Sequence, residues 1–251
     1  MTQCRFQRQS GENNIALIGD SFAGSLYPGL ITQTKEDEGI AAFPASCAIP
    51  LIGLHTANPN RAYNEHILSE GFSYILSHKN ITKVILFHNP QCSYHNVVDR
   101  LNSGNNDFYS ILRKGFIRTY DALTNAGKQI FVVKSEPIYT DEIYLKCKST
   151  AVRRPAVIPA WLLKSKQPEI CSVKQSERFD REQIHDWNAA SRETARGYKN
   201  IHFIDLEQVF CQQGKCSMLD DQGVMLYYDL GHLDIKGAIY AAHFIFSKLR
   251  N

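Results

Sequence analysis

Short apolar runs alternate with amphipathic stretches along most of this chain. The first run, over 15–19, is rich in aliphatic residues, and a helix-compatible stretch over 22–35 follows it after Gly19-Asp20-Ser21. Further apolar runs predict buried strands over 39–43, 84–87, 129–133 and 201–206. Apolar residues at helical spacing predict helices over 61–77, 107–126, 177–196 and 235–249. This alternation predicts an α/β fold, a three-layer sandwich whose five-stranded, mostly parallel sheet has right-handed crossovers.

The segment 135–171 interrupts the repeat. It contains four prolines and is too long for a plain loop in a compact domain. We interpret it as an insertion over the carboxyl edge of the sheet, just before the long charged helix, within a single domain that spans 1–251. Tyr139 and Trp161 lie in this segment and are potential sugar-stacking surfaces, although a tryptophan more often packs in the interior.

Composition narrows the class of protein. A length of 251 residues with 43% hydrophobic content suits one α/β domain with a proper core. The formal charge of +3, from scattered Lys and Arg, is too small to indicate nucleic-acid binding. The sequence contains no apolar stretch of membrane-spanning length, and the polar residues 1–11 do not resemble a signal peptide. We expect a soluble segment whose export signal, if any, lies outside it.

Ser21 lies where the first predicted strand passes into the first predicted helix. In an open α/β sheet this carboxyl edge is where ligands bind, and the backbone N–H groups of a helix start favour negative charge. A plain helix cap by Asp20 or Ser21 is the alternative interpretation, because Asp and Ser are both preferred N-cap residues.

A second polar motif lies on the predicted loop before the last helix. Asp229 and His232 are three residues apart there, so the carboxylate can accept from one ring nitrogen while the other faces outward. This is the base-and-orienter half of a serine triad. Asp234 is a plausible N-cap that would fix where His232 points. Together with Ser21, near the opposite end of the chain, this pair predicts a catalytic triad. Ser21 would be the nucleophile, His232 the general base and Asp229 the orienting carboxylate.

Both end motifs resemble those of a known superfamily. Gly19-Asp20-Ser21 and Asp229-Leu230-Gly231-His232 are similar to the first and last motif blocks of SGNH (GDSL-type) hydrolases. More narrowly, Ala45-Ser46-Cys47, Cys211, Cys216 and the ending Asp-x-x-His-Leu-x-x-x-Gly-Ala resemble the extracytoplasmic SGNH domain fused to bacterial acyltransferase-3 membrane proteins. The resemblance covers nearly the whole chain and implies a flavodoxin-like fold.

The same resemblance implies an oxyanion hole. Its donors would be the backbone N–H of Ser21 and the side chain of Asn89, which follows the strand predicted over 84–87. His88 is an alternative occupant of that position, and a simple turn at Asn-Pro is the plainer interpretation. The family takes a third donor from a glycine after the second strand. Here Ser46 is nearer the strand end and Gly53 is the next glycine, so both are weak candidates.

Seven cysteines indicate an oxidising compartment. Cys211 and Cys216 bracket a short polar loop with a central glycine, and two further pairs are plausible from their positions in the predicted fold. The predicted disulfides are Cys47–Cys92, Cys147–Cys171 and Cys211–Cys216, with Cys4 left over; other pairings remain open. A structural zinc site is the competing interpretation, but no second short Cys or His pair has finger spacing. We expect no metal and no cofactor.

An acyl-serine intermediate is common to several functions. The resemblance implies O-acetyl transfer to a bacterial surface glycan such as lipopolysaccharide, with a membrane acyltransferase-3 domain as partner, in the same full-length chain and on the periplasmic side. The alternatives are a stand-alone carbohydrate or acetyl esterase and a non-catalytic glycan-binding domain. The paired end motifs argue against the last.

Overall fold

A computed structural model describes residues 5–7, 13–56, 62–90, 97–101, 107–134, 136–150, 169–174 and 182–250. Its strands are β1 (Arg5–Gln7), β2 (Asn13–Gly19), β3 (Gly39–Pro44), β4 (Leu54–Thr56), β5 (Lys83–Phe87), β6 (Val97–Asp99), β7 (Gln129–Lys134), β8 (Ser172–Lys174), β9 (Ile201–Asp205), β10 (Cys211–Gln212) and β11 (Lys215–Ser217). Its helices are α1 (Ser21–Ile31), α2 (Ala62–Ser77), α3 (Phe108–Asn125), α4 (Asp141–Thr150), α5 (Glu182–Thr194), α6 (Glu207–Phe210) and α7 (Ile235–Leu249).

The central sheet has the strand order β1-β3-β2-β5-β7-β9 within the described residues. Its five strands from β3 to β9 are parallel, whereas β1 pairs antiparallel with β3 at the edge. In chain order the parallel strands lie 2-1-3-4-5, which is the flavodoxin-like arrangement. The α/β fold and the mostly parallel sheet predicted from the sequence are confirmed, with β1 as one strand more than expected.

Helices cover both faces of this sheet. Alternate residues of β2 point to opposite sides, so that Ile15 and Leu17 pack with α1 and α7, whereas Ala16 and Ile18 pack with α2, α3 and α5. All four side chains are at most 2% exposed. Burial on both faces explains why parallel strands appear in the sequence as continuous apolar runs.

Two glycines allow close backbone contacts, one between neighbouring strands and one between the first and last helices. A Cβ at Gly19 would lie 1.8 Å from the carbonyl oxygen of Phe87 on the neighbouring strand. A Cβ at Gly29 would lie 2.0 Å from the carbonyl oxygen of Ala238, where α1 crosses α7. The two glycines therefore set how closely the first and last helices approach each other and the sheet.

Short elements outside the main repeat differ from the prediction. The strands β4 and β6 lie outside the predicted strands and helices, and they pair antiparallel with each other. The predicted insertion contains α4, and β8 joins the hairpin of β10 and β11 in a small second sheet. Tyr139 is 1% exposed and packs in the core, so it is not a sugar-stacking surface, and Trp161 lies outside the described residues.

Two of the predicted disulfides are present. Cys147–Cys171 joins α4 to the 3-10 turn at Glu169–Cys171, and Cys211–Cys216 closes the β10–β11 hairpin. The pair Cys47–Cys92 includes Cys92, which lies outside the described residues, as does Cys4. In the parts of the chain that the structure describes, no helix has both the length and the apolar character needed to cross a bilayer.

Candidate active site

The start of α1 places Ser21 at the carboxyl edge of the sheet. Asp20 caps this helix, since its Oδ1 accepts a hydrogen bond of 2.9 Å from the backbone N–H of Phe22. The backbone N–H of Ala45 donates to the carbonyl of Gly19 at 2.9 Å, which ties the loop after β3 to the same turn. Ser21 is therefore the first residue of the helix, where N–H groups face outward from the sheet.

The loop Asp229–His232 is held by its own hydrogen bonds. Asp229 Oδ1 accepts from the backbone N–H groups of Gly231 at 3.0 Å and of His232 at 2.7 Å. The backbone N–H of Tyr228 donates to the carbonyl of His232 at 3.1 Å. Asp234 caps α7, with its Oδ1 2.8 Å from the backbone nitrogen of Ile235. The loop therefore has a defined shape before any ligand binds.

Ser21, His232 and Asp229 lie in one hydrogen-bonded row. The Oδ2 of Asp229 is 2.8 Å from the Nδ1 of His232, and the Nε2 of His232 is 2.8 Å from the Oγ of Ser21. Because a carboxylate only accepts hydrogen bonds, Nδ1 carries the ring proton and Nε2 accepts from the hydroxyl. This arrangement can deprotonate the Ser21 hydroxyl during nucleophilic attack.

The charge state of Asp229 suits an orienting role. Partial burial acts to raise the pKa of this carboxyl, but hydrogen bonds from the His232 ring and from two backbone N–H groups outweigh burial and lower it. Asp229 therefore remains ionised at neutral pH. The side chains of His232 and Asp229 are 21% and 39% exposed, so solvent reaches the row from one side.

Aromatic rings bracket the imidazole of His232. The ring of Phe22 stacks on it with a centroid distance of 4.2 Å, and the ring of Tyr228 lies at 5.3 Å with an interplanar angle of 19°. The hydroxyl of Tyr144, on α4, donates to the carbonyl of Tyr228. These contacts were not among the predictions from the sequence, although Phe22 directly follows Ser21 and Tyr228 directly precedes Asp229.

Asn89 lies against the same turn as Ser21. It is fully buried, and its backbone N–H donates to the Oδ2 of Asp20 at 2.9 Å. The Nδ1 of His88 also lies 2.8 Å from this oxygen, and its ring packs against Trp187 at 4.5 Å. His88 is thus a buried partner of Asp20. Together these contacts fix the end of β5 to the start of α1.

The weak candidates for a third oxyanion donor lie on the segment after β3. Ser46 is exposed, and its carbonyl accepts from the side chain of Asn64 at 2.9 Å. Gly53 has a φ of +82°, and its carbonyl accepts from the backbone N–H of Arg100 at 3.1 Å. These contacts connect the segment to α2 and to the residues after β6. Ser46 and Gly53 therefore remain candidates for the third oxyanion donor.

Metal chemistry has no evident ligand set in the described part of the chain. Among those residues no three His, Cys, Asp or Glu side chains are grouped so that they could hold an ion. Lys236 pairs with Asp220, whose Oδ1 also accepts from the backbone N–H groups of Gln222 and Val224. Asp220 thus stabilises its own loop.

Comparison with known proteins gives the family. The sequence matches the family model described as "SGNH domain (fused to AT3 domains)" over residues 2–246, and no curated protein matches significantly. The fold is similar to the periplasmic domain of the lipopolysaccharide acetyltransferase of Salmonella ser. Paratyphi A, with a TM-score of 0.65, 15% identity, and coverage of 97% of this chain and 86% of that chain. It is also similar to the acetyl xylan esterase AlAXEase, with a TM-score of 0.52, 16% identity, and coverage of 94% and 98%.

At such identities the solved structures show a shared fold. The family assignment comes from the sequence match, which extends over almost the whole chain. The fold itself brings Ser21, Asp229 and His232 together from near the two ends of the chain. The protein belongs to the family of SGNH domains that are fused to AT3 domains.

Proposed function

We propose that this domain transfers an O-acetyl group to a hydroxyl of a bacterial surface glycan, such as lipopolysaccharide, through an acyl-serine intermediate on Ser21. The observation that carries the proposal is the 2.8 Å contact between Ser21 Oγ and His232 Nε2, with Asp229 at 2.8 Å on the other ring nitrogen. A serine without a catalytic role does not require a hydrogen bond to a histidine that is oriented by a carboxylate. The arrangement therefore argues against a domain that only binds glycans.

In the first half-reaction, Ser21 Oγ attacks the acyl carbonyl carbon while its proton passes to His232 Nε2. Asp229 keeps the ring in the correct tautomer and stabilises the imidazolium. The tetrahedral oxyanion accepts hydrogen bonds from the backbone N–H of Ser21 and from the side chain of Asn89. The intermediate then collapses, and the leaving group takes the proton from His232.

In the second half-reaction, a sugar hydroxyl gives its proton to His232 and attacks the acyl carbon. The bond to Ser21 Oγ breaks, and the oxygen recovers the proton from His232. A water molecule can follow the same path, which yields hydrolysis. The partial exposure of His232 and Asp229 supports access for either acceptor. Hydrolysis by an acetyl esterase is therefore the second candidate function.

The family description supports a membrane partner. Domains of this family are fused to AT3 domains, so we propose that an acyltransferase-3 membrane domain in the same full-length chain supplies the acyl group. The disulfides Cys147–Cys171 and Cys211–Cys216 support a periplasmic location, because such bonds persist in oxidising compartments.

The first experiment measures release of nitrophenol from p-nitrophenyl acetate by the purified protein. Ser21→Ala should abolish turnover beyond the uncatalysed rate. Ser25→Ala is the matched control, because Ser25 lies on the same helix and its hydroxyl only donates to the carbonyl of Phe22 at 2.9 Å. Equal rates for the wild type and Ser21→Ala would refute an acyl-serine mechanism.

The second experiment separates transfer from hydrolysis. The protein is incubated with an isotopically labelled acetyl ester and with lipopolysaccharide polysaccharide from which native acetyl groups have been removed. Label in the polysaccharide that depends on Ser21 supports transfer. Label found only as free acetate, at all polysaccharide concentrations, supports the esterase.

A further inference from the structure

Glu136 is a buried acid that the mechanism above does not use. It follows β7 by two residues, at the same edge of the sheet as Ser21 and Asn89. The residue is 2% exposed, and within the described part of the chain neither of its carboxyl oxygens has a hydrogen-bond partner. An ionised carboxylate in such a place would be unfavourable, because burial removes its hydration and the interaction with its own backbone N–H compensates only in part.

The charged groups that act on Glu136 are both negative. They are Asp20, which caps α1 beside Ser21, and Asp229, which orients His232. The buried Tyr227, whose ring packs edge-to-face on Tyr139 at 5.1 Å, is close enough for its hydroxyl to interact electrostatically with this carboxyl. Burial first, and then the charges of Asp20 and Asp229, raise the pKa of Glu136 well above its ordinary value. Both causes favour the neutral form of the side chain.

The residues after Glu136 brace the catalytic loop. The backbone N–H of Tyr139 donates to the carbonyl of Leu230 at 2.8 Å, between Asp229 and His232 in sequence. A Cβ at Gly231 would lie 3.3 Å from the side chain of Ile138. A displacement of segment 136–139 would therefore move the loop that carries His232.

We propose that Glu136 is a positioning residue of the active site that works only as the neutral acid. Uncharged, it packs beside Asp20 and Asp229 and keeps segment 136–139 against the catalytic loop. Ionised, it would add a negative charge to the two already there and draw water into a dry site, and the loop would lose its support. The effect on activity rests on the proposed function, whereas the protonation state does not.

The test compares Glu136→Gln, which has the shape of the neutral acid, with the wild type over a range of pH. Glu142→Gln is the matched control, since Glu142 lies on α4 with its side chain 73% exposed. We expect Glu136→Gln to retain hydrolysis of p-nitrophenyl acetate at neutral pH. Above the pKa of Glu136 the wild-type kcat/KM should fall about tenfold per pH unit, as for one titrating group, and the Gln variant should lack this limb. Superimposable profiles would overturn the positioning role.

Two measurements determine the protonation state of Glu136 without an activity assay. Infrared difference spectra of wild type against Glu136→Gln should show the carbonyl band of a protonated carboxylic acid at neutral pH. Unfolding by urea should show that the wild type loses stability relative to the variant as pH rises above the ordinary carboxyl value of 4.5, because only the unfolded state then releases the proton. Absence of the band overturns the proposal.

If Glu136→Gln does not fold, Glu136→Leu provides a second neutral side chain, and a pH titration of the wild-type infrared band needs no variant at all. If no protein in the series hydrolyses esters, the proposed function fails while the band and the unfolding data still decide the state of Glu136. If Glu136 is protonated but the wild type and Glu136→Gln have the same pH profile of activity, the residue contributes only to stability. This result would refute the positioning role.

Discussion

Replacing Asp229 with Asn tests the hydrogen bond between Asp229 and His232, on which the proposed triad depends. In the wild type, one carboxyl oxygen accepts from two backbone N–H groups at 3.0 and 2.7 Å, and the other accepts from His232 Nδ1 at 2.8 Å. An amide has only one accepting oxygen. If that oxygen keeps the backbone contacts, the NH2 group faces the imidazole and forces Nδ1 to accept.

The consequence for catalysis follows from the tautomer. With Nδ1 as acceptor, the ring proton moves to Nε2, which then faces the hydroxyl of Ser21 and cannot take its proton. The flipped amide would restore the tautomer, but its NH2 would then face the two backbone N–H donors and leave all three groups without an acceptor, at about 1–3 kcal/mol for each group. We therefore expect kcat to fall by about 10⁴-fold, the loss typical of a triad locked in the wrong tautomer. At 1.36 kcal/mol per factor of ten, this is about 5 kcal/mol of transition-state stabilisation.

The assay is hydrolysis of p-nitrophenyl acetate, with urea unfolding measured alongside. Asp234→Asn is the control, because Asp234 caps α7 and Asn caps a helix about as well as Asp. The control should keep both activity and stability. A double variant with Ser21→Ala should be no slower than Ser21→Ala alone, since the three groups act as one unit. If Asp229→Asn stays within about tenfold of the wild type, Asp229 is not the orienting group.

Three further predictions concern the fold around the site. Gly29→Ala should destabilise the protein by about 1–3 kcal/mol, because the added Cβ clashes with the backbone of α7. Gly24→Ala in the same helix should stabilise it by about 0.5–1 kcal/mol, because the added Cβ lies 3.4 Å from its nearest neighbour and alanine favours the helix. Urea unfolding of both variants tests the two predictions. Replacing Cys147 and Cys171 with Ser should lower the free energy of unfolding by about 3 kcal/mol, measured by urea unfolding of the variant and the wild type without a reducing agent. Burial acts to raise the pKa of Asp220, but its ion pair with a lysine and its backbone hydrogen bonds lower it, so its stabilisation holds at neutral pH and is lost as pH falls below the ordinary value of 3.8. Asp220→Asn should therefore be less stable than the wild type at pH 7, with the difference vanishing in acid.

Four strands of the parallel sheet, β2, β3, β5 and β7, were predictable because most of their residues are buried on both faces, whereas in the edge strand β9 only Ile204 is buried. A strand buried on both faces appears in the sequence as an unbroken apolar run, and β3 and β5 begin and end within a residue of the predicted bounds. The final helix has the predicted bounds, because Asp234 supplies a clear cap. By contrast, β4 and β6 have three residues each and pair across a sequence distance that no local pattern encodes.

The first helix shows where local signals compete. The apolar pattern extended the prediction to residue 35, but α1 ends at Ile31. There the hydroxyls of Thr32 and Thr34 donate to the carbonyls of Gly29 and Ile31, at 2.7 and 3.0 Å. Such side-chain hydrogen bonds offer the backbone an alternative to the next helical turn.

The sequence by itself determined the parallel sheet, the family and the three residues of the candidate triad. Ser21 could be placed because a residue that directly follows a parallel strand lies at the carboxyl edge of the sheet, whereas Asp229 and His232 were recognised from their spacing on the loop before the last helix. Only the tertiary structure decided what surrounds them, such as the aromatic bracket of His232, the pairing of His88 with Asp20, and the dry setting of Glu136. The burial and the electrostatic environment of a residue depend on residues that are far apart along the chain. A local motif therefore does not predict whether a side chain is exposed to water.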